Sequence, residues 1–131
     1  MPKRPFIAIV HDDALVGKAI KTLVRSEGID AEAFVSAREF VDLLKALPLF
    51  RPQCVILDVH MPGLSGFDVQ ARLRDQQICI PIVFITASDE VTLDQTALAA
   101  GGIELLRKPF SNDALLDAVG KAIQRPPLDA P

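Results

Sequence analysis

Cys54-Val55-Ile56-Leu57-Asp58-Val59-His60-Met61-Pro62-Gly63-Leu64-Ser65-Gly66 opens on four apolar residues, stops at an aspartate and passes into a turn rich in proline and glycine. A short run that is apolar without alternation reads as a strand covered on both faces, which is the habit of parallel sheets. Working outward, Phe6-Ile7-Ala8-Ile9-Val10 and Ile82-Val83-Phe84-Ile85 have the same character. Residues 31–35 and Ile103-Glu104-Leu105-Leu106 supply two weaker strands. Helical spacing fills the intervals. Ala14-Leu15, Ala19-Ile20 and Leu23-Val24 recur every three or four residues until Gly28 ends that helix. Ser36-Ala37-Arg38-Glu39 is a capping-box pattern, continued by Phe40, Leu43, Leu44 and Leu47 and broken by Pro48 and Pro52. A third helix is predicted over 67–76, a fourth over 89–100 before Gly101-Gly102, and a fifth after Ser111 with Leu115, Leu116, Val119 and Ile123. Five strands alternating with five helices imply right-handed crossovers and a doubly wound α/β sandwich.

Composition agrees with one compact domain. The chain has 131 residues, half of them hydrophobic and 24% charged, with 14 Lys and Arg against 17 Asp and Glu for a net charge of −3. That length buries a core without disulfides or a structural metal, and the apolar content excludes intrinsic disorder. Mild acidity argues against direct nucleic-acid binding by this domain. No apolar run approaches the roughly 18–20 residues that cross a bilayer, and the basic start lacks a secretory h-region, so no membrane association and a cytoplasmic location are expected. Cys54 and Cys79 form neither a metal pattern nor a disulfide framework. Cys54 reads as a core strand residue and Cys79 as a loop thiol. The domain is expected over 1–125, with 126–131 as a tail or the start of a linker.

Open parallel sheets bind ligands beyond the carboxyl ends of their strands. His11, Asp12 and Asp13 follow the first strand, Asp58 the third, Thr86 the fourth, and Lys108 with Pro109 the fifth. Clustered carboxylates repel unless a cation neutralises them. Oxygen donors with room for water suit Mg²⁺, which leaves positions for a phosphate. A carboxylate can attack phosphorus, and phosphoryl transfer then needs mainly positioning and neutralised charge.

These residues carry a family resemblance. His11-Asp12-Asp13 after a strand, Asp58 followed by Met61-Pro62-x-x-x-Gly66, then Ile85-Thr86-Ala87, then Lys108-Pro109-Phe110, resemble a response-regulator receiver domain of two-component signalling, nearest to FixJ-type receivers. The resemblance covers about residues 6–124. It implies a flavodoxin-like fold with strand order 2-1-3-4-5, and a signalling module rather than an enzyme with turnover substrates. It makes Asp58 the phosphoacceptor, loaded by a sensor histidine kinase. It gives Asp12, Asp58 and the backbone carbonyl of His60 to Mg²⁺, with Asp13 at most a more distant contributor. Thr86 would hydrogen-bond the phosphoryl group and move with it, and Lys108 would contact one of its oxygens. Pro109 would follow a cis peptide bond, and Gly66 would open the third helix. The resemblance further implies an output domain or partner protein, DNA-binding output being the first expectation. It also implies a homodimer or output surface on the fourth helix, fifth strand and fifth helix; Val91, Leu93 and Leu98 on the fourth helix read equally as core or as part of that surface.

Two positions depart from the family pattern. His11 stands where the first acid is usual. It reads evenly as drift or as a residue that meets the metal only through water, with weaker Mg²⁺ affinity expected. Leu105 stands where an aromatic switch residue is usual, so no ring gates the pocket. These departures favour the alternative of a degenerate receiver that acts as a phosphorylation-independent interaction module; intact Asp58, Thr86 and Lys108 count against it. An aspartyl phosphatase is disfavoured because position 60 is His, which removes the Asp-x-Asp motif. Asp13 is about evenly split between a helix cap, a place where Asp is favoured, and a metal role; Ser36 and Ser111 read as caps, and Ser88, a position where the family varies dephosphorylation, reads first as a cap. Phe40, Phe67 and Phe84 read as core.

Overall fold

The computed structural model describes residues 5–124. The expected tail at 126–131 and the domain edge at 125 lie outside the described residues. The elements run β1 (Phe6–Val10), α1 (Ala14–Ser26), β2 (Asp30–Phe34), α2 (Ala37–Ala46), β3 (Cys54–Asp58), α3 (Gly66–Asp75), β4 (Ile82–Thr86), α4 (Thr92–Ala99), β5 (Glu104–Arg107) and α5 (Asn112–Gln124). All neighbouring strands are parallel and the order is β2-β1-β3-β4-β5. The flavodoxin-like architecture expected from the motifs is the one observed.

Alternate residues of each strand feed two separate cores. Ala8, Val10, Val55, Leu57, Ile82 and Phe84 pack with α2, α3 and α4. Ile7, Ile9, Cys54, Ile56, Val83 and Ile85 pack with α1 and α5. A central strand apolar at every position is therefore buried twice over, which explains the lack of alternation in β1, β3 and β4. Phe40 and Phe84 are fully buried and Phe67 rests on Phe84 with ring centroids 4.9 Å apart. Phe40 and Phe84 are core residues as expected, whereas Phe67 is only partly buried and packs against the core.

β3 and β4 each extend one residue past their apolar runs, to Asp58 and Thr86, α3 runs 66–75 against the predicted 67–76, and three further boundaries shifted. β2 begins at Asp30 and ends at Phe34, one residue earlier than predicted, because Asp30 registers with Phe6 and leaves Val35 exposed past the sheet. β5 runs one residue later than predicted, to Arg107, which registers with Thr86. α4 starts at Thr92 rather than 89. Two hydroxyl turns occupy the preceding residues: the Ser88 amide donates to Thr86 Oγ1 at 3.0 Å and the Glu90 amide to Ser88 Oγ at 3.2 Å. Those local bonds compete with the helix ladder, and Arg107 also takes the Glu90 carbonyl. Ser88 is thus a turn residue and not the cap of α4, whose N-cap Val91 has no side-chain bond.

Caps fix most other ends. Ser36 accepts from the Glu39 amide, which is half of the predicted capping box, and Ser111 accepts from the Ala114 amide. α3 has the full reciprocal box, Ser65 with Asp68, which the spacing Ser-x-x-Asp allows.

Candidate functional site

Parallel strands deliver their carboxyl ends to one rim, and the strand order reverses between β1 and β3. Register carries the site residues there. Val10 pairs with Leu57, Leu57 with Phe84, Asp58 with Ile85, and Thr86 with Arg107. Backbone bonds continue the sheet beyond its strands: the His11 amide donates to the Phe34 carbonyl, Val59 to Ile85, and Lys108 to Thr86 at 2.7 Å. Residues separated by most of the chain therefore meet at one place.

Asp58, His11 and Thr86 are the buried polar side chains among the described residues, at 4%, 4% and 0% exposure. Asp58 Oδ2 lies 3.5 Å from His11 Nε2, and Asp58 Oδ1 lies 4.0 Å from Lys108 Nζ. His11 Nδ1 lies 3.5 Å from Asp12 Oδ1. Among the described residues, His11, Asp12 and Asp58 are the group of His, Cys, Asp or Glu side chains whose donor atoms all fall within 4.8 Å of one another. The Lys108–Pro109 peptide bond is cis. Gly66 begins α3 directly beneath Asp58: a Cβ there would sit 2.6 Å from the Asp58 carbonyl oxygen and 3.1 Å from the Val59 Cα. Only glycine lets the helix approach that closely.

Burial lifts the Asp58 carboxyl above its usual range; His11 and Lys108 oppose the rise, and Asp12 adds to it. Burial likewise lowers the His11 imidazole. Asp58 resists that shift, Lys108 reinforces it, and Asp12 and Asp13 resist it more weakly.

His11 has an accounting problem of its own. The Asp13 amide donates to Nδ1 at 3.0 Å, and the Lys108 Nζ stands 2.6 Å from Nε2. A neutral imidazole has one lone pair and one N–H, so it can accept only one of these two donors. Two donors therefore compete for one imidazole lone pair.

The other expected residues divide clearly. Asp13 is exposed and caps α1, its Oδ1 accepting from the Leu15 and Val16 amides at 2.9 and 3.3 Å. It stands apart from the three-residue donor group. Thr86 is buried with its hydroxyl oxygen accepting from Ser88. The His60 side chain is exposed. Leu105 pairs with Phe84 in the sheet and packs half-buried against the core on the α4 side. The spacing of motifs found Asp12, Asp58 and Lys108. It did not find the contact between His11 and Lys108, which spans 97 positions and depends on side-chain reach.

The donor chemistry can be tested against a hard divalent cation. The two carboxylates of Asp12 and Asp58 suit Mg²⁺, which commonly takes one or two carboxylates and keeps several waters. The oxygen donors fit; the imidazole nitrogen at His11 is a softer donor than that ion selects.

Residues 7–120 match the family described as the response regulator receiver domain. This chain belongs to that family. It is 38% identical over 122 residues to nodulation protein W of Bradyrhizobium diazoefficiens, covering 93% of this chain and 52% of the relative. It is 34% identical over 125 residues to the transcriptional regulatory protein FixJ of the same organism, covering 95% and 60%. The chain thus spans about half the length of the curated relatives it matches. Among solved structures, a response regulator receiver protein from Burkholderia phymatum superposes with a TM-score of 0.84 at 46% identity, covering 95% of this chain and 99% of that one. FixJ-N superposes with a TM-score of 0.85 at 25% identity, covering 95% and 98%. No helix among the described residues is long and apolar enough to cross a membrane.

Proposed function

We propose that this domain accepts a phosphoryl group on Asp58 from a sensor histidine kinase and signals by shifting between two conformers. The observation that carries the reading is the buried Asp58 carboxylate with Asp12 beside it and Lys108 Nζ 4.0 Å away. A carboxylate oxygen forms the new bond to phosphorus while the bond to the kinase imidazole breaks, and that nitrogen keeps the electron pair. Mg²⁺, held by Asp12, Asp58 and the His60 carbonyl, would neutralise charge on the transferring oxygens. Lys108 supplies a cation for one of those oxygens. Thr86, one residue past the β4 position that pairs with Asp58, supplies a hydroxyl once it leaves the Ser88 amide. The turns at 86–90 then reorganise and carry the change to α4 and β5, where the homodimer or output surface lies.

The domain, read as 1–125 with 126–131 leading into a linker, is a signalling module of the cytoplasm and not an enzyme with turnover substrates. Relatives named as transcriptional regulators, of which the matched part is about half, support control of a DNA-binding output. Incubation with acetyl phosphate and Mg²⁺ followed by intact mass tests the reading. One phosphoryl adduct is expected on the chain and none on Asp58→Asn. Absence of an adduct, with acetyl phosphate and with a cognate kinase, would overturn it in favour of a phosphorylation-independent interaction module.

A further inference from the structure

We propose that His11 is a direct metal ligand and that it turns this site toward borderline divalent transition ions, such as Zn²⁺ or Co²⁺, at the expense of Mg²⁺. The inference rests on the same reading of the site as a divalent-cation centre, and it differs from that reading in which ion the residues select.

Three observations carry it. The imidazole is buried at 4% exposure, yet it opens onto the two carboxylates and not onto the core. Its Nε2 lies 3.5 Å from Asp58 Oδ2 and its Nδ1 lies 3.5 Å from Asp12 Oδ1, and one ligand atom from each of the three residues falls within 4.8 Å of the other two, so an ion on Nε2 beside Asp58 has Asp12 within reach. Two ligands bound at about 2.0–2.2 Å with tetrahedral angles lie roughly 3.3–3.6 Å apart, so one ion can bridge the imidazole and a carboxylate without a large movement. Finally, the ring is over-supplied with donors, the Asp13 amide on one side and the Lys108 ammonium on the other. Ligation through Nε2 takes up the lone pair there and displaces Lys108, whose Nζ is already 4.0 Å from Asp58 Oδ1; Nδ1 then carries the ring proton, and the Asp13 amide has to turn from it.

The selectivity follows from donor type. All-oxygen sets suit Mg²⁺, whereas imidazole suits zinc, copper, iron and nickel. One nitrogen with two carboxylates is a mixed set of the kind that transition ions prefer and Mg²⁺ does not. The charge count points the same way. A site with His in place of a third acid attracts every dication less strongly through space, so affinity depends more on the nitrogen bond, which Mg²⁺ makes poorly.

The test uses the 131-residue chain with Mg²⁺, Co²⁺ and Zn²⁺ as chloride salts. Transition ions outrank Mg²⁺ at most sites, so the decisive quantity is the ratio of Zn²⁺ to Mg²⁺ affinity and its change in His11→Asp. Calorimetry should show that ratio falling at least tenfold in the variant, with Mg²⁺ affinity rising. An unchanged ratio would overturn the proposal. Imidazole ¹⁵N shifts of the unmutated chain give a measurement independent of any variant. Zn²⁺ should move the His11 nitrogens and Mg²⁺ should leave them in place. Zn²⁺ binding that leaves His11 unmoved would also overturn it. The acetyl phosphate assay separates the two readings. An adduct on Asp58 with no His11 ligation defeats this inference alone. His11 ligation with no adduct, under any of the three ions, defeats the phosphoacceptor reading alone.

Discussion

At the level of single residues, the site is a compromise between charge and burial. Asp58 sits in a place that raises its carboxyl above the usual range, because burial disfavours the ionised form. The native state therefore holds that proton at pH values where the unfolded chain has lost it. Stability is present below the ordinary carboxylate range and is lost as pH rises through the raised value. Asp58→Asn removes the cost. In metal-free buffer at pH 7–8 the variant should melt several degrees above the parent, and the gain should vanish near pH 3 (thermal unfolding by circular dichroism reads both). Asp58, Asp12 and Lys108 were legible in the sequence because each follows an apolar run that ends at the rim, and strand ends are positions a linear text can mark. The role of His11 was not legible to the same extent. Its burial and its contact with Lys108 arise from packing depth and side-chain reach, which spacing does not encode. The departure itself could be read as an absent acid; what replaced the acid's interactions could not.

At the level of elements, close approach and turn chemistry decide what can be changed. Gly66→Ala would press a methyl group against the Asp58 carbonyl and the Val59 backbone, atoms that cannot swing aside. A cost of about 1–3 kcal/mol is expected, read as a lower urea midpoint with an unchanged slope. At the other end of α3, Gln77 holds a φ of 59° where its amide closes onto the Arg74 carbonyl. Gln77→Gly removes a left-handed side-chain conflict and should raise stability by up to about 1 kcal/mol, after allowing for the extra freedom of the unfolded chain. The helices were legible where caps agree with apolar spacing, as at Asp13, Ser36 and Ser111. α4 starts at Thr92 and not at the predicted 89 for a physical reason. Asp89 to Val91 have helical composition, but the hydroxyls of Thr86 and Ser88 capture the amides of Ser88 and Glu90 and hold the chain in turns. Arg107 then clasps Asp94 and the Glu90 carbonyl, so the loop beside Thr86 and the last turn of β5 are tied to α4. Arg107→Ala should loosen residues 88–94 and leave the rest of the fold in place, as faster amide hydrogen exchange confined to that segment.

For the whole molecule, the topology was legible because it needs only the alternation of two periodicities, while strand ends moved by one residue because register is settled between strands and not within them. The pH profile of the intact domain has two sides. The lowered His11 gives a second slope: the unfolded chain takes up a proton below about pH 6.5 that the native ring refuses, so stability falls as pH drops through the depressed value. In the absence of metal the stability curve should therefore decline toward acid on account of His11 and toward alkali on account of Asp58, and His11→Asn should flatten the acid side. A bound dication should act on the whole fold by mass action, worth about 2.7 kcal/mol at a hundred times its Kd. The rise in melting temperature should be absent in Asp12→Asn if that carboxylate is a ligand.

The two cysteines lie on either side of the same structural divide. Cys54 is fully buried in β3 and burial pushes its thiol up to about 12, whereas Cys79 is exposed in the connection between α3 and β4. With no tryptophan or tyrosine in the chain, an optical reporter has to be added, and the fold itself decides where it goes. A maleimide dye under native conditions should label Cys79 alone, stoichiometrically and without mutagenesis. Cys54 then remains as an internal stopwatch: its alkylation needs the central strand to open, so its slow rate times the excursions of the sheet. One reagent thus marks the surface at once and counts how often the core comes apart.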